Sequence, residues 1–300
     1  MRRFLDGDFV YAFSRSPVAM LSTLVVLALV LAALAAPLIA PHDPFDLASL
    51  SLQDALKPPA FAVDGDAAYP LGTDDQGRDV LSGIMFGLQI SLKVAVLAIG
   101  FALVVGTGVG LLAGYAGGTL DAFLMRVVDV QLTFPSLLVA LLVDGVTRAL
   151  LPRDMQADLE IYVIVFAIGI SRWPQFARTV RGSTMVERGR DYVMAARVIG
   201  LSSLRIMLTH ILPNVLGPVL VITTLSLGLA ILDEATLSFL GVGLPPTQPS
   251  LGTLIRIGNN FLFSGEWWIT IFPGVTLAAV VVSINLLGDW LRDALNPRLR

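Results

Sequence analysis

Arg181-Gly-Ser-Thr-Met-Val-Glu-Arg-Gly-Arg-Asp-Tyr-Val-Met-Ala-Ala-Arg-Val-Ile-Gly-Leu-Ser-Ser-Leu-Arg-Ile-Met-Leu-Thr-His-Ile-Leu-Pro213 is a basic stretch set between apolar runs. Its local chemistry predicts two short helices at an angle. Asp191 is an N-cap candidate, Gly200 suits the left-handed residue that closes a helix, and Ser202 or Ser203 caps the helix that follows. Ala195 and Ala196 are small enough to let another surface approach closely, and the surrounding arginines keep the element in water. A polybasic loop that only binds anionic lipid needs no such helix-Gly-helix punctuation.

The flanking runs set the fold class. The chain is 55% hydrophobic and 14% charged with a mean hydropathy of +0.79, where soluble domains carry about 25% charged residues. Six segments are candidate crossings of a bilayer, which takes roughly 20 helical residues. Val18 to Ile39, Val94 to Ala113, Ile211 to Leu232 and Trp267 to Leu287 are free of charge, and Val127 to Val143 holds one acid, Asp129. The sixth, Ile161 to Ile170, is a short apolar core between Glu160 and Arg172. The expected fold is an all-α polytopic transmembrane bundle with six spans.

Arginine placement supports the short span, because cytoplasmic loops are enriched in Lys and Arg. With six spans and both termini cytoplasmic, the inner pieces hold Arg2, Arg3, Arg15, Arg126, Arg172, Arg178, Arg181, Arg188, Arg190, Arg197, Arg205, Arg292, Arg298 and Arg300, which is 14 of the 20 basic residues. Without the short span, the seven arginines from Arg172 to Arg205 fall on the wrong side. Trp173, Trp267, Trp268 and Trp290 then sit where spans meet interfaces, as aromatic belts do.

Met1-Arg2-Arg3 and the apolar run after it resemble a signal peptide, but the run exceeds a signal core of about 7 to 15 residues and reads as a first-span anchor. Pro41 to about Gly87, with Pro41, Pro44, Pro58, Pro59, Pro70 and clustered aspartates, reads as an extracytoplasmic insert. The expected division is an N-terminal unit over 1–87 (tail, first span, insert), a five-span core over 88–289 with its cytoplasmic loop at 172–210, and a tail over 290–300. The net charge of −3 points to no nucleic-acid partner, and the absence of cysteine excludes disulfides and thiolate metal sites. The two histidines, His42 and His210, are far apart, so no metal centre is expected.

The 181–213 stretch resembles the cytoplasmic signature of binding-protein-dependent ABC importer permeases: Glu-Ala-Ala, three residues, Gly, nine residues, Ile, any residue, Leu-Pro. Ala195, Ala196, Gly200, Leu212 and Pro213 stand at matching positions; Met194 replaces the Glu and His210 the Ile. The wider stretches Arg190 to Gly200 and Thr209 to Asn214 resemble the dipeptide/oligopeptide branch in its C-type subunit. So do Leu71 to Ser82, Gly114 to Gly118, Met125 to Val130, Phe239 to Gly243 and Gly288 to Pro297, in order and spacing. The resemblance implies a type I ABC importer permease fold and a five-part machine. Its other parts are a homologous B-type permease, two ATP-binding subunits that hold ATP and Mg, and an extracytoplasmic substrate-binding protein. Residues around Arg190, Asp191, Ala195, Ala196, Gly200, His210 and Pro213 would couple the spans to an ATPase. The chain itself is expected to have no catalytic residues and to bind no cofactor, and membrane lipid is its other contact. Independently, the only lysines, Lys57 and Lys93, follow leucines, so there is no Gly-Lys from which to build a phosphate-binding loop.

Charged residues within or beside spans are further candidates. Asp129 lies three residues from Arg126, the spacing of a helical ion pair, and that reading is preferred to a substrate contact. Asp233 and Glu234 could meet a peptide's ammonium group; as solvated residues leading into the loop of Pro245, Pro246 and Pro249 they need no function, and this reading is preferred. His210 anchors the end of the second loop helix, and Asn285 and Asp289 are packing or capping groups. Peptides are the favoured cargo, with nickel complexes, glutathione and sugars as alternatives. An ion-coupled secondary transporter is the rival class, but it normally shows a mid-membrane ion site and related halves, and the clean spans carry no carboxylate. The arginine asymmetry predicts opposite compartments for reporter fusions at Asp64 and Arg188; the same compartment for both would refute the six-span reading.

Overall fold

The computed structural model of the chain describes residues 7–44, 50–150, 153–243 and 248–295. These residues are helix and loop, with one isolated bridge between Thr73 and Asp79. Arg2, Arg3, Arg298, Arg300, Pro245 and Pro246 of the sequence reading lie outside them. The helices are α1 (Gly7–Ser14), α2 (Pro17–Leu34), α3 (Ala36–Ile39), α4 (Val80–Ala116), α5 (Gly118–Thr133) and α6 (Ser136–Leu150). They continue with α7 (Arg153–Arg188), α8 (Asp191–Val198), α9 (Ser203–Arg205), α10 (Leu212–Phe239), α11 (Leu251–Asn259) and α12 (Trp268–Leu295).

Among the described residues four helices are long and apolar enough to cross a membrane: α2, α4, α12 and the continuous helix Ser203–Phe239. A fifth crossing is available if α5 and α6 act together, but they meet at 90°. The expected straight span from Val127 to Val143 is thus broken, because Pro135 forces the preceding Phe134 out of helix geometry to φ −88°, ψ 129°. The short sixth segment is part of α7, 36 residues long and about 54 Å at 1.5 Å per residue. Its arginines keep its apolar content low, so the six-span count is not reached on apolar length alone.

What holds α7 in the bundle is α4. Ala98, Ala102, Gly106, Gly110 and Gly114 recur every fourth residue and form one buried edge of α4. A Cβ on Gly106 would lie 2.5 Å from the Trp173 carbonyl oxygen, on Gly110 2.6 Å from that of Ala177, and on Gly114 2.8 Å from that of Arg181. On the α7 side, Gly169 reciprocates against Phe101 and the Ala98 carbonyl. Small residues permit this backbone approach, which is how helices associate where lipid is as apolar as leucine. The contacts advance together along both helices, so α4 and α7 run in the same direction. The chain between them must therefore return along the bundle, and the bent α5–α6 pair makes that return.

The N-terminal segment is fastened to this core. Asp79 caps α4 by accepting from the Ser82 backbone N–H at 2.9 Å, so α4 begins at Val80 and the boundary expected at residue 87 falls inside it. Asp74 accepts from the Gln76 and Arg78 amides, both at 2.9 Å, and pairs with the Arg78 Nε at 2.7 Å. The Trp268 indole N–H donates to the Thr73 carbonyl at 3.1 Å and ties the insert to α12. Phe13 of α1 packs edge-on against Trp290.

Gly110 and Gly108 make a matched test. A Cβ on Gly108 meets nothing within 4 Å. Gly110→Ala should lower stability by about 1–3 kcal/mol, the usual cost of overpacking, whereas Gly108→Ala should be neutral or slightly stabilising. Thermal unfolding in detergent checks this; equal midpoints would mean that the α4–α7 contact is not tight.

Candidate functional site

α7 ends at Arg188 and the chain turns at Gly189 into α8. Arg190, at φ −78° and ψ 150°, is the N-cap, and Asp191 is the first helical residue rather than the cap. Its carboxylate still stands in the first turn, where the helix dipole favours negative charge. At the other end Gly200 has φ +81°. Its N–H donates to the Arg197 carbonyl at 3.0 Å and that of Leu201 to Ala196 at 3.1 Å, the paired bonds of a helix closed by a left-handed residue. A Cβ on Gly200 meets nothing within 4 Å, so the backbone conformation alone requires glycine there.

The second short helix differs from expectation. Ser202 heads α9 without a side-chain cap bond, and α9 continues through a π-helical stretch, Ile206–Ile211, into α10. Pro213 has no N–H to offer Thr209, and the Leu212 N–H reaches back to Met207, a wider turn than the α-helical one. The site is one short helix plus an N-terminal extension of α10, not two separate helices.

The two alanines part company. Ala196 is buried with Val193 against Leu111 of α4, Val180 of α7, and Ile206, Ile211 and Val215. Ala195 faces outward, beside exposed Met194, Val198 (86% exposed), Ile199 (72%), Leu204 and Leu208. The outer surface is therefore an apolar patch set among exposed Arg190, Arg197 and Arg205.

A hydrogen-bonded chain fixes this patch to two long helices. The Tyr192 hydroxyl donates to the Glu187 carboxylate at the end of α7 and accepts from the Asn214 side-chain N–H at 3.1 Å. Asn214 also donates to the His210 carbonyl at 2.7 Å, and the His210 Nδ1 lies 2.7 Å from the Thr209 hydroxyl. Partial burial, with the Glu187 carboxylate adjacent, pushes the Tyr192 hydroxyl up to about 12, so it keeps its proton at neutral pH. Tyr192 and Asn214 were not singled out from the sequence, because 22 residues separate them and no local spacing links them.

Four arginines of α7, Arg172, Arg178, Arg181 and Arg188, are structural cross-links. Arg181 binds Asp121 of α5 through two parallel bonds, 2.5 and 2.7 Å, and Arg188 donates to the Tyr115 carbonyl at 3.0 Å. Asp129 pairs with Arg178 at 2.6 Å rather than with Arg126, because α7 passes alongside α5 and presents a guanidinium across the gap. Arg172 donates through Nε to Asp233 at 2.9 Å in a largely buried pair. These two residues were expected in opposite compartments. They meet inside the bundle, since α7 stays helical to Arg188 and α10 to Phe239, so a loop starting at residue 172 begins too early. Glu234 is also no solvated loop residue. It is 0% exposed and accepts from the Ser91 hydroxyl of α4 at 2.6 Å and from Ser238 at 2.7 Å.

Comparison with known proteins gives a consistent relationship. The family described as binding-protein-dependent transport system inner membrane component matches residues 106–300, and the N-terminal TM domain of oligopeptide transport permease C matches residues 7–59. The chain is 38% identical to a dipeptide transport system permease protein of Haemophilus influenzae, over 98% of this chain and 95% of that protein. It is 40% identical to the protein of that description in Escherichia coli K12, over 98% and 93%. A di/tripeptide transport system permease protein of Pseudomonas aeruginosa is 37% identical over 98% and 92%. The fold is similar to a chain of the inward-facing MetNI methionine ABC transporter, with a TM-score of 0.57 at 18% identity over 71% of this chain and 96% of that one. A chain of an amino acid ABC transporter gives 0.52 at 16% identity over 70% and 92%.

The Tyr192 hydroxyl should be worth about 0.5–1.5 kcal/mol to the seating of α8. Tyr192→Phe should accordingly raise amide hydrogen exchange over residues 191–198 by roughly two- to tenfold, with α4 and α12 unchanged. Unaltered exchange in α8 would show that Glu187 and Asn214 do not hold it.

Proposed function

The chain belongs to the family of binding-protein-dependent transport system inner membrane components, and from that premise we propose that it is a permease subunit of an ATP-driven importer of di- and oligopeptides. Such permeases work with a partner permease and with ATPase subunits and have no ATPase of their own. The peptide assignment is supported by relatives named for dipeptide and di/tripeptide transport at 37–40% identity over nearly the whole chain. We assign the partners more finely as a B-type permease, two ATP-binding subunits and an extracytoplasmic binding protein. The chain would cross the bacterial inner membrane six times, as α2, α4, the α5–α6 pair, α7, the Ser203–Phe239 helix and α12, with both termini cytoplasmic.

The observation that carries this reading is the outward apolar face of α8. Val198 and Ile199 are held in water by a helix whose opposite face is locked to α4, α7 and α10, and an exposed apolar patch rimmed by charge is the usual mark of a protein contact. The patch is the docking surface for an ATPase subunit. Motion of that subunit would reach α7 through Glu187 and α10 through Asn214, because Tyr192 bonds to both. ATP and Mg would be bound by the partner subunits; this chain supplies only the mechanical contact. Coupling then requires that the docked α8 favour one access state of the pathway over the other.

Gly200→Val tests the proposal. At φ +81° a β-branched residue is strained by about 1–3 kcal/mol, while the spans make their own backbone hydrogen bonds and should still insert. The expected result is a normal membrane level with transport lost, together with weaker ATPase association or hydrolysis no longer stimulated by loaded binding protein. Wild-type transport with unchanged stimulation in liposomes would show that α8 is not the coupling element.

A further inference from the structure

A cavity of about 680 Å³ lies between α2, α4, α7, α10 and α12, and its polar lining gathers where the segment before α11 meets α4, the Leu251 N–H donating to the Ser91 hydroxyl. There Gln89 and Lys93 stand one turn apart on the same face of α4, and Gln248 joins them from the segment before α11. Apart from Thr224 of α10, whose hydroxyl donates to the Val221 carbonyl, the remaining walls are apolar. Val26, Val30 and Leu34 line one side over about 12 Å of α2, opposite Leu227 of α10 and Ile284 of α12.

Lys93 is one of only two lysines. It lies 13 residues into α4, counted from Val80, immediately before the apolar run that starts at Val94. Lys57, the other, is held between Asp54 at 2.7 Å and Asp66 at 2.8 Å. Lys93 has no such partner among the described residues. An ammonium at the edge of a hydrocarbon layer normally finds an anion. Among the described residues the cavity lining contains no carboxylate, which leaves the exposed Lys93 ammonium open to an anion from outside the chain.

We propose that this cavity holds one anionic phospholipid from the leaflet on the side of the 41–79 insert. Its phosphate sits on Lys93, Gln89 and Gln248 donate to headgroup oxygens, and an acyl chain runs along α2. The lining favours this occupant over the transported peptide. A peptide brings an ammonium as well as a carboxylate, and nothing in the lining neutralises a second cation beside Lys93. A zwitterionic headgroup meets the same objection. The bound lipid also fills the gap between α2 and the core helices, and so fixes the N-terminal helix to the bundle. The inference rests on the membrane embedding of the chain and is independent of what the importer carries.

Native mass spectrometry of the assembled importer, from nanodiscs of equal phosphatidylglycerol and phosphatidylcholine, tests it. Wild type should retain one phosphatidylglycerol in preference to phosphatidylcholine. Lys93→Gln should retain about fivefold less, the worth of one basic residue near an anionic lipid, and Lys93→Arg should retain it. Val30→Trp, which fills the apolar part, should release it with Lys93 intact. Equal retention of both lipids by wild type would overturn the proposal, and that measurement decides even if a variant fails to assemble. Undiminished phosphatidylglycerol in Lys93→Gln would also overturn it. Displacement of the lipid by added dipeptide would do the same, assigning the cavity to the substrate route and leaving the importer reading intact.

Discussion

Ala98, Ala102, Gly106, Gly110 and Gly114 put almost no side chain between the backbones of α4 and α7, and the rest of the architecture depends on that close approach. In a bilayer the hydrophobic effect does not press helices together, so association rests on contacts that only small residues allow. The contact fixes α7 parallel to α4, which makes the α5–α6 segment the returning limb despite its 90° bend. It also fixes the rotation of α7 about its axis, and hence the direction in which its arginines point.

The arginines of α7 and of the α8 region have two kinds of work. Arg181, Arg188 and Arg172 each bind an oxygen on a different neighbour: Asp121 of α5, the Tyr115 carbonyl of α4 and Asp233 of α10. The largely buried Arg172–Asp233 pair adds little net stability, since desolvation offsets most of the attraction, but losing one partner would strand the other charge at several kcal/mol. Such pairs set register more than they set stability. Arg190 and Arg197, by contrast, are exposed beside the apolar face of α8, where they keep a patch soluble that would otherwise associate unspecifically.

The geometry of α8 follows from both. Its inner face packs on α4 and α7, its Tyr192 joins α7 to α10, and Gly200 turns the chain into a helix continuous with the α10 span. The element is therefore held by short, direct attachments rather than hanging as a loose loop. Between α8 and α10 lies the π-helical stretch Ile206–Ile211, whose wider turn accommodates the missing N–H of Pro213.

Local chemistry was enough to read a good deal of this. Composition and apolar runs identified an all-α membrane bundle, because burying a helix in lipid is a matter of hydropathy. The positive φ of Gly200 was legible because a helix end leaves a short local mark. Boundaries were less so: Asp191 was misplaced by one residue relative to the cap, and the second loop helix merged with α10, since packing decides where a helix stops. The partners of charged residues were not legible at all. Arg126 was the local candidate for Asp129, yet Arg178, 49 residues away, is the one within reach. Asp233 and Glu234 read as solvated, yet they meet Arg172 and Ser91 from distant helices. Sequence determines which segments enter the membrane and where the backbone must turn, because those depend on a residue and its near neighbours. Only the tertiary structure decides which charge neutralises which, because that depends on the rotation of one helix against another.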